Sequence, residues 1–272
     1  MSILITGITG SLGTALAEES IERDHHIIGI AHSEKRSKLM QLEFPEIELH
    51  SIDIVDEDML EKVINRSNVD YIIHCAAMKH IGICENNPTR AVDVNVDGSR
   101  NVINAAYKND VENIIAVSTD KAINPSCVYG STKLLMEKMM LENNYSVIQG
   151  VNFFFSSGSV LEIWKQAKDS NTPIKINTNN TVRYFVDASD VAKKILDNLS
   201  VQGEYIHLDT CYRVYLHDLA QAFCEYYDYH NTSEYHPISA EKIEEEVPEN
   251  VEIVEVGVEE LKEIFSEYNY VY

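Results

Sequence analysis

Long apolar runs are absent from this chain. No stretch of about 18 consecutive apolar residues occurs among its 272 residues, which argues against a membrane-spanning helix. Glycine appears at Gly7, before any signal-peptide apolar region could form, so the expectation is a cytoplasmic protein that is neither secreted nor membrane-bound. Basic residues are scarce, with Lys+Arg 22 against Asp+Glu 44 and a net charge of −22. That balance repels a phosphate backbone and no compact basic stripe offsets it, so nucleic acid is not an expected partner. Cysteines are few: Cys75, Cys84, Cys127, Cys211 and Cys224 are odd in number and form no C-x-x-C pair, which points to reduced thiols. The histidines lack metal-ligand spacing, and no metal is expected.

What is present is an ordinary globular composition, 44% hydrophobic and 24% charged, with 11 Gly and 6 Pro. Short apolar runs at Ile3–Ile5, Ile27–Ile30, Glu48–Ile52, Tyr71–Ile73, Ile114–Val117 and Tyr145–Val151 read as strands. The first five are nearly all apolar, as strands covered on both faces should be. Between them Leu12–Arg23, Asp56–Asn65, Pro88–Lys108 and Gly130–Glu142 are long enough for crossover helices. This alternation predicts an α/β fold with a doubly wound parallel sheet over residues 1–150. Residues 151–272 read as a smaller, more irregular region, with part of 183–200 returning to the first domain. The aromatic run Phe153–Phe155 and Trp164 read as core. The acidic runs Glu244–Glu246 and Glu259–Glu260 read as a solvated face.

The first strand is followed directly by Gly7-Ile8-Thr9-Gly10-Ser11-Leu12-Gly13, a G-x-x-G-x-x-G run that opens a helix. Glycines there let the backbone approach a pyrophosphate, which the amides and positive dipole of the helix N-terminus receive. Dinucleotide binding is therefore expected. Cofactor choice turns on the end of the second strand, where Ser33, Lys35 and Arg36 stand beside Glu34. A hydroxyl and two cations favour the 2′-phosphate of NADP over NAD, unless Lys35 and Arg36 simply begin a solvated helix. Asp53 is placed to bond the adenine amine, or to cap the helix starting near Asp56.

Tyr129 and Lys133 are four apart at the start of a predicted helix and share a face. A lysine ammonium near a phenol stabilises the phenolate, so the tyrosine can exchange a proton with a carbinol. Ser118 and Thr119, at the end of the fifth strand, supply hydroxyls for the same substrate oxygen. With the glycine loop, these residues resemble the extended short-chain dehydrogenase/reductases, in which Thr119, Tyr129 and Lys133 would form the catalytic triad.

The resemblance sharpens over Ser118-Thr119-Asp120-Lys121-Ala122-Ile123-Asn124-Pro125 and His74-Cys75-Ala76-Ala77-Met78-Lys79-His80, with Glu85, Asn95 and Gly98. These segments resemble the C5-inverting UDP-N-acetylglucosamine 4,6-dehydratases. The resemblance implies a Rossmann-like NAD(P)-binding domain, a nucleotide-sugar substrate and a homo-oligomer. It implies that Lys121 removes the sugar C5 proton and that Asp120 protonates the departing C6 hydroxyl. It places Ile54, Ala76, Ala77, Lys79 and Asn95 with the cofactor, and Lys79, His80, Thr119, Asn152 and Arg183 with the substrate. The chain departs from the family at Val151–Phe155, where an Arg-x-Gly-Asn segment is usual, and at Pro237–Lys242, which lacks the usual arginine. A 4-reductase or 4-epimerase would use Tyr129 and Lys133 without the Asp120–Lys121 pair, and a dinucleotide sensor would need neither.

Overall fold

The computed structural model describes residues 1–177, 181–235 and 244–268. Part of the polar run from Asn177 to Thr181, and the whole of Pro237–Lys242, lie outside the described residues. Along the chain run β1 (Ser2–Thr6), α1 (Ser11–Glu22), β2 (His26–Ala31), α2 (Glu34–Glu43), β3 (Glu48–Ser51), α3 (Glu57–Ser67), β4 (Tyr71–His74), α4 (Ile81–Asn86), α5 (Pro88–Val92), α6 (Gly98–Lys108), β5 (Asn113–Thr119), α7 (Val128–Glu142) and β6 (Ser146–Gly150). There follow β7 (Asn152–Phe153), α8 (Val160–Asp169), β8 (Ile174–Asn177), β9 (Val182–Val186), α9 (Ala188–Asp197), β10 (Tyr205–Ile206), β11 (Thr210–Tyr215), α10 (Leu216–Tyr226), β12 (Thr232–Tyr235), β13 (Glu252–Glu255) and α11 (Val258–Glu267).

Two compact units form, one from Met1–Gly150 with Ala188–Leu208 and the other from Val151–Asp187 with Asp209–Tyr272. In the first unit a seven-stranded sheet runs β10-β6-β5-β4-β1-β2-β3, and every neighbouring pair is parallel. The order reverses between β1 and β4, the switch point at which ligands gather beyond the strand ends in open α/β sheets. Leu4, Ile28, Ile72, Ile114 and Val147 join one core with Leu60, Ile64, Val102, Met136 and Met140 of α3, α6 and α7. Strand alternation turns Ile3, Ile5, Ile73 and Ile115 to the opposite face, where they are equally buried. Apolar residues on both faces are what made these strands read as continuous apolar runs. The expected doubly wound sheet is present, with its strand boundaries within two residues of the predicted runs.

The predicted helix over Pro88–Lys108 is interrupted. A π-helical turn at Asp93–Asp97 separates α5 from α6, and it holds Asn95, which reaches across to Met78. A side chain drawn into a tertiary contact in this way leaves no mark on helical periodicity. Helix α4 was not anticipated, and α2 only as a solvated helix beginning at Lys35 and Arg36. α4 is short, and α2 buries only Ser37 and Met40 while leaving Leu39 and Leu42 exposed, so neither shows a strong apolar stripe.

The second unit is more regular than its sequence implied. A four-stranded sheet runs β13-β11-β9-β7, and β12 pairs with β8. Its irregular appearance came from short strands of mixed direction, since β9 and β11 are antiparallel while β7 and β9 are parallel. The core contains Phe154, Phe155, Trp164, Phe223 and Phe265. Phe154 stacks on Phe185 with ring centroids 4.8 Å apart, and Trp164 meets Phe223 edge-on at 5.7 Å.

Candidate active site

The glycine loop joins β1 to α1 at the switch point. Gly7 has φ +69°, and a Cβ there would lie 2.8 Å from the Ala76 nitrogen, so only glycine lets this turn pack on the segment after β4. Gly10 is the N-cap of α1 and offers no side chain to the first turn, which leaves that helix end open to an external anion. Leu12 points into the core, so its contribution at the loop is its backbone. Thr9 and Ser11 are partly exposed beside Gly10. The loop therefore brings Gly7, Thr9, Gly10, Ser11, Gly13 and Ala76 together, in a form that fits a pyrophosphate.

Ser33 caps α2, accepting from the Arg36 amide at 3.5 Å, and Lys35 and Arg36 are exposed in the first turn of that helix. Asp53 does not cap α3. Asp56 does, accepting from the Met59 amide at 3.1 Å. Asp53 instead accepts from the Val55 amide at 3.1 Å and from Arg90 at 2.5 Å, and these bonds hold its carboxyl below the usual range against the opposing effect of burial. Ile54 is buried, and its carbonyl accepts from Asn101 at 3.1 Å. Lys79 and His80 are exposed beyond β4, with His80 as the N-cap of α4.

At the end of β5 the chain enters a 3₁₀ turn, Asp120–Ala122. Asp120 is 2% exposed and Lys121 22%, so a buried carboxylate meets a partly buried ammonium, with Lys121 Nζ 3.1 Å from Asp120 Oδ1 and 3.2 Å from Oδ2. Thr119 Oγ1 donates to Asp120 Oδ1 at 2.8 Å. The first turn of α7 is pressed against this turn: a Cβ on Gly130 would fall 2.2 Å from the Lys121 carbonyl oxygen. The helix itself starts where Glu85 accepts from the Val128 amide at 2.7 Å. Thus Thr119, Asp120, Lys121 and Tyr129 are brought to one place. Burial pushes the Tyr129 hydroxyl well up from its ordinary value, with Thr119 opposing the shift. Burial pushes Lys133 down to about 8, with Glu137 opposing it. Ser118 Oγ is buried without a hydrogen-bond partner, a hydroxyl that a ligand at the strand end can satisfy.

Behind these groups runs a buried polar network that sequence reasoning missed. Ser99 Oγ donates to the Asn95 carbonyl at 2.7 Å, so it must accept from His74 Nε2 at 2.9 Å. Burial pushes His74 down to about 3, so the ring is neutral and its Nδ1 accepts from Thr6 Oγ1 at 2.8 Å. Thr6 in turn accepts from the Ala76 amide at 3.2 Å. Asn95 continues the chain by donating to Thr132 Oγ1 at 2.9 Å, and Thr132 donates to the Tyr129 carbonyl at 2.9 Å. The glycine loop and the start of α7 are therefore tied through five side chains. Polar residues at buried strand and helix positions were the available signal.

In the second unit Asn152 Nδ2 donates to the Tyr184 carbonyl at 2.9 Å and to Glu245 at 2.7 Å. Arg183 Nε lies 3.5 Å from Glu245 Oε1. The acidic run is not merely a solvated face, because Glu244 also accepts from Tyr184 at 2.6 Å and from Arg213 at 3.1 Å. Arg183 covers Glu245, whose side chain is 13% exposed, while Glu244 keeps 44% of its side chain in solvent beside Arg213.

Among the described residues no helix is long and apolar enough to cross a membrane, and no group of three or more His, Cys, Asp or Glu is arranged to hold a metal ion. The five cysteines are free thiols.

Comparison with known proteins gives a consistent picture. The chain is 32% identical to a UDP-N-acetylglucosamine 4,6-dehydratase (inverting) of Campylobacter jejuni over 236 residues, 81% of this chain and 70% of that one. It is equally 32% identical to an uncharacterized membrane protein of Methanocaldococcus jannaschii over 209 residues, 72% of this chain and 62% of that protein's length. A solved UDP-glucose 4-epimerase of Thermotoga maritima with UDP-glucose superposes with a TM-score of 0.84 at 18% identity, covering 98% of this chain and 99% of that one, which establishes the fold. Residues 3–260 match the polysaccharide biosynthesis protein family, and to that family the chain belongs.

Proposed function

We propose that this chain is an NADP-dependent nucleotide-sugar 4,6-dehydratase that converts UDP-N-acetylglucosamine into a 4-keto-6-deoxy product with inversion at C5. The observation that carries this reading is the contact of the buried Asp120 carboxylate with Lys121, pressed by Gly130 against the turn that holds Tyr129. A bound nicotinamide supplies the reversible hydride acceptor that no side chain provides. Gly7, Thr9, Gly10, Ser11, Leu12 and Gly13 would hold its pyrophosphate, Asp53 and Ile54 its adenine end, and Ala76, Ala77 and Lys79 its middle, whereas Asn95, 1% exposed with its amide spent on Met78 and Thr132, supports the backbone there instead of touching the cofactor.

Tyr129 takes the proton from the sugar 4-hydroxyl as C4 is oxidised, and Lys133 stabilises the phenolate form that allows this. The 4-ketone acidifies the C5 hydrogen. Passing one proton from Lys121 Nζ to Asp120 along their 3.1 Å contact creates a neutral amine and a carboxylic acid, a pair that burial favours over two charges. The amine then removes the C5 proton, the acid protonates the C6 hydroxyl, the C6–O bond breaks and water leaves. The hydride that left C4 would return to C6 from the bound nicotinamide as C5 regains a proton on the opposite face, so no cofactor is consumed, and the proton lost from O4 equals the one that departs with the C6 oxygen. Lys79 and His80 would contact the sugar nucleotide, and in the second unit Asn152 and Arg183 are assigned to substrate by the family resemblance, the guanidinium suiting a pyrophosphate.

The test incubates the protein with NADP+ or NAD+ and a panel of UDP- and dTDP-sugars, and follows loss of one water by mass spectrometry. Dehydrated product without accumulation of reduced nicotinamide is expected; no product from any sugar overturns the reading. Lys121→Met should reduce elimination by about 10²–10⁴-fold while a single turnover of nicotinamide reduction survives. An unchanged dehydration rate would remove Lys121 as the C5 base, whereas nicotinamide reduction by the wild type with no dehydration of any sugar would put a 4-epimerase or 4-reductase reading in its place. Replacing Lys35 and Arg36 by Ala should weaken NADP+ binding roughly 10- to 100-fold and leave NAD+ binding unaltered, measured by titration. Equal effects on both would exclude a 2′-phosphate contact.

A further inference from the structure

Glu137 takes no part in the chemistry above, yet it is fully buried. A carboxylate is not placed in an interior without partners that hold it. Gln149 Nε2 on β6 donates to Glu137 Oε1 at 3.0 Å, and the Tyr205 hydroxyl on β10 donates to Oε2 at 2.9 Å. Burial beside that carboxylate pushes the Tyr205 hydroxyl up, so it remains a donor. The acid is thus fixed by residues 12 and 68 positions away in the chain.

Along α7 the acid continues a ladder. Tyr129, Lys133 and Glu137 are each four residues apart and lie on one face of the helix. Lys133 is 3% exposed, so its ammonium requires a nearby anion to remain charged. The other titratable groups that act on it do not supply one. His74 on β4 is neutral, and burial pushes the Cys75 thiol after β4 up to about 12. Tyr129 is held as the phenol.

We propose that Glu137 is a positioning residue: its carboxylate, held by Gln149 and Tyr205, keeps Lys133 protonated on the α7 face so that the lysine can act on Tyr129. The proposal rests on the role given to Lys133 above. A purely structural Glu137, tying α7 to β6 and β10, would affect stability without affecting the lysine's proton.

The test reads that proton directly. Protein carrying ¹³Cε-lysine is titrated by NMR, with K133M identifying the Lys133 signal. In E137Q, which preserves shape, the midpoint of Lys133 should move down by about one pH unit or more, while E137D, which restores a charge, should bring it back toward the wild type. An unchanged midpoint in folded E137Q overturns the proposal. Should E137Q fail to fold, K133M/E137Q decides: removal of both charges leaves no orphan, so the double variant should recover the fold, and its failure to do so overturns the pairing. On the dehydratase activity, the alkaline limb of kcat should shift to lower pH in E137Q. Absence of dehydration in the wild type would refute the proposed reaction and leave the NMR result standing, so the two failures are separable.

Discussion

His74 shows how one side chain can organise a site without touching a ligand. Its neutral ring passes a hydrogen bond in each direction, from Thr6 and to Ser99, and so joins the glycine loop to the π-helical turn. The proton balance has a definite sign. Above its ordinary value near 6.5 the imidazole is neutral whether the chain is folded or not, and stability is complete; below that value the unfolded chain binds a proton that the folded one, with its ring pushed down to about 3, refuses. Stability from this group therefore falls by about 1.4 kcal/mol per pH unit as pH drops from about 6.5. His74→Gln should cost about 2–4 kcal/mol at pH 7 in urea unfolding, and the gap to the wild type should narrow by roughly 2 kcal/mol at pH 5. An equal gap at both pH values would show that the ring is not held neutral. At this scale the sequence singled out Tyr129 and Lys133 as candidates through their i,i+4 spacing, a local fact, and Asp120 and Lys121 through their resemblance to a known family. It did not disclose Ser99, Thr132 or Glu137, whose side-chain partners lie 12 to 68 residues away.

Among the elements, α7 and the 3₁₀ turn before it form the working unit. The turn is set by Thr119, whose hydroxyl accepts from the Lys121 amide at 3.4 Å, and the helix by Cys127 and Glu85, which take its first amides. Neither end alone fixes the distance between them; Gly130 does. Gly130→Ala would place a methyl group 2.2 Å from the Lys121 carbonyl, and the two elements must separate to admit it. About 1–3 kcal/mol of stability should be lost on thermal unfolding. Dehydration should fall by at least 10-fold, since a displacement of about 1 Å at a catalytic group is worth that much or more. A folded, fully active Gly130→Ala would show that the close approach is not needed for function. The helix was readable from its Tyr-x-x-x-Lys pattern. The π-helical turn was not; it carries Asn95, whose bonds to Met78 join segments 17 residues apart that no local preference links.

For the molecule as a whole, charge is the dominant unexplained quantity. A net charge of −22 makes self-repulsion a standing cost, and the ion pairs found, such as Arg23 with Asp197 and Lys108 with Glu61, neutralise only a small part of it. Salt should screen the remainder. The melting temperature is expected to rise between about 10 mM and 500 mM sodium chloride as the Debye length falls from roughly 30 Å to under 5 Å. A flat or falling curve would place the excess charge in favourable pairs.

The apolar runs alternating with amphipathic segments determined the parallel sheet, and the glycine loop at its first turn determined where a dinucleotide would lie. Both follow from local rules, strand burial and backbone freedom, that act within a few residues. Tertiary structure alone decided that Asp120 is buried against Lys121, that Glu245 pairs with Arg183, and that the carboxylate one turn beyond Lys133 is buried. Those outcomes depend on which distant segments exclude water from a charged group, and no window of sequence contains that information.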